Sequence, residues 1–125
     1  MLKTILLVGI GGAIGSIFRY VTHWATTKYF QGSFPLSTFL VYILGSLLIG
    51  LFIGYLGKYF PENHPLKFLL IVGFCGGFTT FSSFALENYN LLQNNHQITA
   101  YIYMASSIIL TITAVGLGSY LSKYL

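Results

Sequence analysis

Charge is what this 125-residue chain has least of: Asp, Glu, Lys and Arg make up 6% of it, against roughly a quarter in soluble domains. The only acids are Glu62 and Glu87, so no pair of carboxylates stands at membrane depth to relay protons or share acid and base roles. Cys75 is the single cysteine, which excludes an internal disulfide and a thiolate zinc cluster. None of His23, His64 and His96 has a metal-ligand partner at helical spacing, and no phosphate-cradling glycine loop follows a strand. Machinery for catalysis is therefore missing. The six Lys and Arg give a formal charge of +4 but are scattered, unlike the clustered basic face of a nucleic-acid binder. A surplus of this kind suits anionic headgroups or an anion.

Hydrophobic residues fill the space that charge leaves, at 55% of the chain. A helix crosses the hydrocarbon with about 20 apolar residues, and four windows fit, roughly 4 to 24, 36 to 57, 66 to 88 and 98 to 121. They are predicted as helices because an open sheet would leave unpaired edge groups in lipid, and four segments of this length cannot close a barrel. The N-terminal window is read as a retained span, since Lys3 and the apolar run after it lack a cleavage-like segment. The three prolines, Pro35, Pro61 and Pro65, fall in the connections with Gly32, Ser33, Glu62 and Asn63. The third connection, Asn88 to Gln97, holds four Asn and two Gln and is too short to be a domain. The expected fold class is an all-α membrane protein, one four-span domain over residues 1–125, with the third helix broken near its middle.

Aromatic residues gather near the proposed ends, among them Tyr20, Trp24, Tyr29, Tyr55, Tyr59, Tyr89, Tyr101, Tyr120 and Tyr124, as interfacial belts do. Lys3, Lys58, Lys67 and Lys123 fall on one side, against Lys28 with Arg19 near the other. So small a bias leaves two arrangements open: a single orientation, or insertion both ways with antiparallel pairing. Small residues recur four apart, as in Gly11 with Gly15, Gly12 with Ser16, Gly50 with Gly54, Gly73 with Gly77 and Ala114 with Gly118. That spacing favours close helix approach, within one chain or between two copies.

Polar groups at membrane depth are the functional candidates, because each costs free energy unless partnered or used. Arg19, near the expected end of the first span, either snorkels to headgroups or raises local anion concentration at a vestibule. The run Gly73-Phe74-Cys75-Gly76-Gly77-Phe78-Thr79-Thr80-Phe81-Ser82-Ser83-Phe84 invites a local break whose backbone carbonyls suit a small hard cation, or else simply packs. Phe81 and Phe84, three apart, share a face with the hydroxyls of Thr80 and Ser83 beside them. Electropositive ring edges and hydroxyl donors together suit a small dehydrated anion. Tyr103, Ser107 and Thr111 at four-residue spacing either form a donor ladder or bond their own helix carbonyls.

Two runs, Gly11-Gly12-Ala13-Ile14-Gly15-Ser16-Ile17-Phe18-Arg19-Tyr20 and Gly73 to Glu87, resemble the Fluc/CrcB family of bacterial fluoride channels, and the likeness covers essentially the whole chain. Members of that family are dual-topology homodimers in the bacterial inner membrane, with two antiparallel fluoride pores and a structural sodium ion at the dimer centre. The resemblance implies that this chain passively exports cytoplasmic fluoride as an antiparallel homodimer in a lipid bilayer. It implies Na+ held by the carbonyls of Gly76 and Thr79, a pore of Phe81, Phe84, Ser83, Thr80, Tyr103, Ser107 and Thr111, and Arg19 at the vestibule. One departure stands out: the family normally has a pore Asn where this chain has Tyr42. Tyr keeps one donor, loses the amide and adds a ring, which leaves open a narrowed or blocked pore, an engineered change, or a partner subunit with a normal pore.

Fluoride is small, strongly hydrated and a strong acceptor, so its selection needs a narrow path lined by donors. Passive flow down the inside-negative potential suffices to expel it. The alternatives are a proton-coupled small multidrug-type exporter, which needs a carboxylate in a first span that here has none, and a non-conducting membrane subunit. For the latter, Ser83→Ala or Phe81→Ile leaves transport unchanged.

Overall fold

The computed structural model describes all of residues 1–125 and contains four helices long and apolar enough to cross a membrane: Leu2–Tyr29, Leu36–Tyr59, Pro65–Gln93 and Gln97–Ser122. Short connections make neighbouring spans antiparallel and put both termini at one end. There the Lys58 ammonium donates to the Lys123 carbonyl (3.2 Å) and the Tyr59 hydroxyl to the Leu125 carbonyl (3.2 Å).

Two boundaries differ from the sequence expectation. The first helix continues to Tyr29, so Arg19 lies ten residues, about 15 Å, inside its end rather than at it. The third span continues to Gln93, through much of the polar tract expected to be a connection. The reason is burial on one side: Asn88 and Leu91 face the fourth span's Ala100 and Tyr103 region, and the Asn88 amide donates to the Phe84 carbonyl (2.9 Å). The helix then stops on a Schellman cap. His96 N–H bonds the Leu91 carbonyl (2.8 Å), Asn95 N–H bonds that of Leu92 (3.4 Å), and Asn95 takes φ 63°, a left-handed conformation that Asn tolerates. The start of the third span is equally local. Pro65 occupies the first helical position, and His64 Nδ1 accepts from Leu66 N–H (3.2 Å).

The third span is interrupted, as its sequence suggests. A wide π-type stretch, Phe68–Cys75, runs into a last helical turn at Gly76–Phe78. Thr79 (φ −105°, ψ 139°) and Thr80 (φ −140°, ψ 121°) are then extended, and Phe81 starts a new helix. Two consecutive β-branched residues after glycines resist helix continuation. The Thr79 hydroxyl closes on the Cys75 carbonyl (2.9 Å), and the break docks on the second span at Gly45, where a Cβ would run into the Thr79 methyl.

Two tight helix pairs make the bundle: the first span with the front half of the third, and the second span with the fourth. In the first pair Gly11 lies against the Leu69 carbonyl and Gly15 against that of Phe74, while Gly77 abuts Gly12. In the second, Gly50 meets the Val115 carbonyl and Gly118 that of Leu47. A methyl at any of these five would overlap backbone. The small-residue spacing is thus used within the chain, and only Gly9, Gly57, Gly76 and Gly116 have open space where a side chain would be. Between 11% and 22% of each span's most apolar stretch is buried, leaving wide apolar faces for lipid or a second copy.

A polar crevice above the broken third span

The break positions the site. A cavity of about 340 Å³ runs from the end of the bundle opposite the termini down to the broken segment, lined on three sides. The first span contributes Ser16, Arg19, Tyr20 and His23; the second gives Ser37, Thr38, Val41 and Tyr42; the third gives Thr80, Ser83, Leu86 and Glu87. Arg19 is therefore a cavity residue, well inside the first helix. Helical spacing explains the set, because Ser16, Arg19, Tyr20 and His23 recur at three and four residues and share a face.

At the floor, the Tyr42 hydroxyl donates to the Thr80 carbonyl (2.7 Å), a group that accepts no backbone N–H. The Tyr42 ring also lies 5.4 Å from that of Phe84. So Tyr42 both satisfies the break and occupies the cavity. Ser83 takes part in no side-chain hydrogen bond within the chain, while Glu87 is tied at both oxygens: the Thr38 hydroxyl donates to Oε2 (2.9 Å) and the Tyr103 hydroxyl to Oε1 (3.2 Å). The sequence marks Glu87 only as an acid without a carboxylate partner and does not single out Thr38 or His23 as lining a site. The signal that would have found Thr38 is its place one turn into a span beginning opposite the end of the third.

The structure divides the remaining expected pore residues. Phe84 is buried between Tyr42 and Tyr103, its ring 4.9 Å from the latter. Phe81, though only 5.6 Å from Phe84 ring to ring, is 74% exposed on the outside of the bundle. Tyr103, Ser107 and Thr111 do follow one stripe, but none lines the cavity, and Phe84 stands between. The ladder is also mixed in character. Tyr103 donates to Glu87, Thr111 donates back to the Ser107 carbonyl (2.6 Å), and the Ser107 hydroxyl, 2% exposed, has no partner at all. A buried hydroxyl without a partner is unusual.

The break frees backbone groups too. Thr80 N–H, which would have closed on the Gly76 carbonyl, donates to no backbone group, and the Thr79 carbonyl accepts none. Gly76 is exposed, and nothing lies within 4 Å of where its side chain would be. Freed backbone carbonyls are hard oxygen donors, the chemistry a small hard cation takes.

Four short spans, a polar cleft reaching the mid-membrane break and a cationic side chain in its wall define a multi-pass membrane protein of the ion-conduit class. The family profile described as CrcB-like protein, Camphor Resistance (CrcB), matches residues 6–119, and the chain belongs to that family. A relative named fluoride-specific ion channel FluC from Flavobacterium psychrophilum is 46% identical over 124 residues, covering 99% of this chain and 100% of its own length. Relatives of the same name from Azobacteroides pseudotrichonymphae and Ignicoccus hospitalis are 44% and 41% identical, each covering 99% of this chain and 99% and 98% of their own.

Proposed function

We propose that this chain is a subunit of a passive, fluoride-selective channel that relieves fluoride toxicity. Whole-length similarity to relatives named for that activity carries the reading. The crevice supplies its physical means. Arg19 raises the anion's local concentration, Ser83 offers a free donor, and ring edges of Phe84 and Phe81 present positive potential where water is stripped away. Ser107 continues the donor path beyond Phe84. Glu87, held by two hydroxyls and without a second carboxylate, offers no proton-exchange pair. The function is conduction, not catalysis.

The reading includes an antiparallel homodimer in the bacterial inner membrane. Phe81 and the freed Gly76 face lie outside the single bundle, and a second copy bearing the same face would enclose them. In such a pair the Gly76 and Thr79 carbonyls of both copies would hold one structural Na+, with the ion balancing four converging dipoles at the centre. Two copies would then form two pores, each drawing the cavity of one chain toward the hydroxyl stripe of the other. The test is growth of a bacterium stripped of its own fluoride exporter. Expression of this chain, or of its Tyr42→Asn form if Tyr42 blocks the pore, restores growth in millimolar fluoride, and Phe81→Ile in the same background does not; equal growth with and without Phe81→Ile, or no rescue in either background, contradicts the reading.

A further inference from the structure

Free hydroxyl donors stand on both sides of an aromatic wall. Ser83 lines the crevice, while the buried Ser107 hydroxyl, one helical turn along from Tyr103, has no partner and does not line it. Between them the Tyr42 ring lies 5.4 Å from the Phe84 ring, and the Phe84 ring lies 4.9 Å from that of Tyr103. Phe84 and Tyr103 are buried on every side. Tyr42 is the member of the wall that borders open space, being half-buried and part of the crevice lining. One hydrogen bond holds its hydroxyl, the 2.7 Å bond to the Thr80 carbonyl, and that carbonyl accepts no backbone N–H.

We propose that Tyr42 is a latched gate in the anion path of this chain: its ring closes the way from Ser83 to Ser107, and its bond to the Thr80 carbonyl holds it closed. A close-packed ring stack leaves no passage even for a small ion, so transit requires the ring to leave Phe84. A tyrosine on a helix has two populated χ1 wells, and the crevice of about 340 Å³ that Tyr42 lines is the space into which it can turn. The latch sets how often that happens. A net hydrogen bond favours the closed rotamer by about two- to twelvefold, and while the open rotamer is the minor one its population rises by that factor when the bond is removed. Motions of this kind set the rate of passage without touching the chemistry of selection.

This inference rests on the fluoride-channel reading, and the experiment separates the two. Initial rates of fluoride release are measured from liposomes holding equal amounts of the chain, Tyr42→Phe, Tyr42→Asn or Tyr55→Phe, the last removing a hydroxyl outside the crevice. Expected is release about two- to twelvefold faster in Tyr42→Phe than in the parent, whose own rate is low or below detection, with Tyr42→Asn also faster and Tyr55→Phe unchanged. The direction is the discriminating result, because a residue that merely braces the break would slow conduction or leave it alone when its bond is lost. Release from Tyr42→Phe no faster than from the parent therefore overturns the gate, as does release from Tyr42→Asn with none from Tyr42→Phe, which describes a fixed plug. Should Tyr42→Phe not purify as a monodisperse protein, a Tyr42→Asn rate no higher than the parent's overturns it equally. No fluoride release from any of the four overturns the channel reading and this inference with it.

Discussion

Removing one oxygen atom from Tyr42 tests how the break in the third span is held. In Tyr42→Phe the ring keeps its place 5.4 Å from Phe84, but the 2.7 Å bond to the Thr80 carbonyl is lost, and that carbonyl has no backbone partner to fall back on. A net hydrogen bond is worth about 0.5–1.5 kcal/mol, and a stranded buried carbonyl costs about 1–3 kcal/mol. The carbonyl borders a cavity that water reaches, so the lower part of that range applies, about 1–2 kcal/mol. For a chain of this length that is a fall of about 3–10 °C in Tm. Thermal unfolding of the detergent-solubilised protein, followed through Trp24 fluorescence, measures it. Tyr55→Phe is the control, since the Tyr55 hydroxyl makes no hydrogen bond within the chain and its residue is 41% exposed. If the two variants unfold within about 1 °C of each other, the reasoning that Tyr42 clamps the break is wrong.

Other outcomes follow from the same contacts. Gly50→Val and Gly15→Val drive a side chain into the facing helix backbone and are expected to abolish the monodisperse folded protein on gel filtration. Gly57→Ala and Gly116→Ala, with open space around them, leave it unchanged or stabilise it by up to about 1 kcal/mol through helix propensity. Gly76→Ala separates monomer from dimer: the single bundle tolerates the methyl, so helicity by circular dichroism stays, while the dimer fraction in crosslinking falls. Replacing Na+ by a large organic cation during purification lowers dimer stability in the same assay, and an unchanged dimer would remove sodium from the account. Ser83→Ala lowers fluoride flux by about tenfold or more without altering Tm by more than about 1 °C, since Ser83 has no partner within the chain to lose.

Most of the architecture was readable from residue order because lipid leaves the backbone few choices. Four apolar windows, three polar connections and the Gly-Thr-Thr run gave the spans and the break. Helix ends were less readable, since hydropathy marks where lipid stops and not where hydrogen bonding stops. Arg19 and Asn88 both lie on helix that continues past the apolar window, Arg19 on one carried to Tyr29 and Asn88 on one held by a buried face and a Schellman cap. The crevice was half legible. Arg19, Thr80 and Ser83 stood out as polar residues at depth, and Tyr42 stood out against the family pattern. That Glu87 would be bound by Thr38 from one span and Tyr103 from another depends on how three helices converge, which no spacing within one helix reveals. The same holds for the unlike fates of Phe81 and Phe84: three residues apart on one face, yet one inside the bundle and one outside it.

The central claim is that this chain conducts fluoride and little else. Its most direct test is efflux from liposomes holding the purified protein, followed by fluoride- and chloride-selective electrodes after addition of a potassium ionophore, with Tyr42→Asn in parallel. Rapid release of fluoride with chloride retained, in this chain or, if Tyr42 blocks its pore, in the Asn variant, is the predicted result. Retention of fluoride by both, or equal release of the two anions, would contradict it.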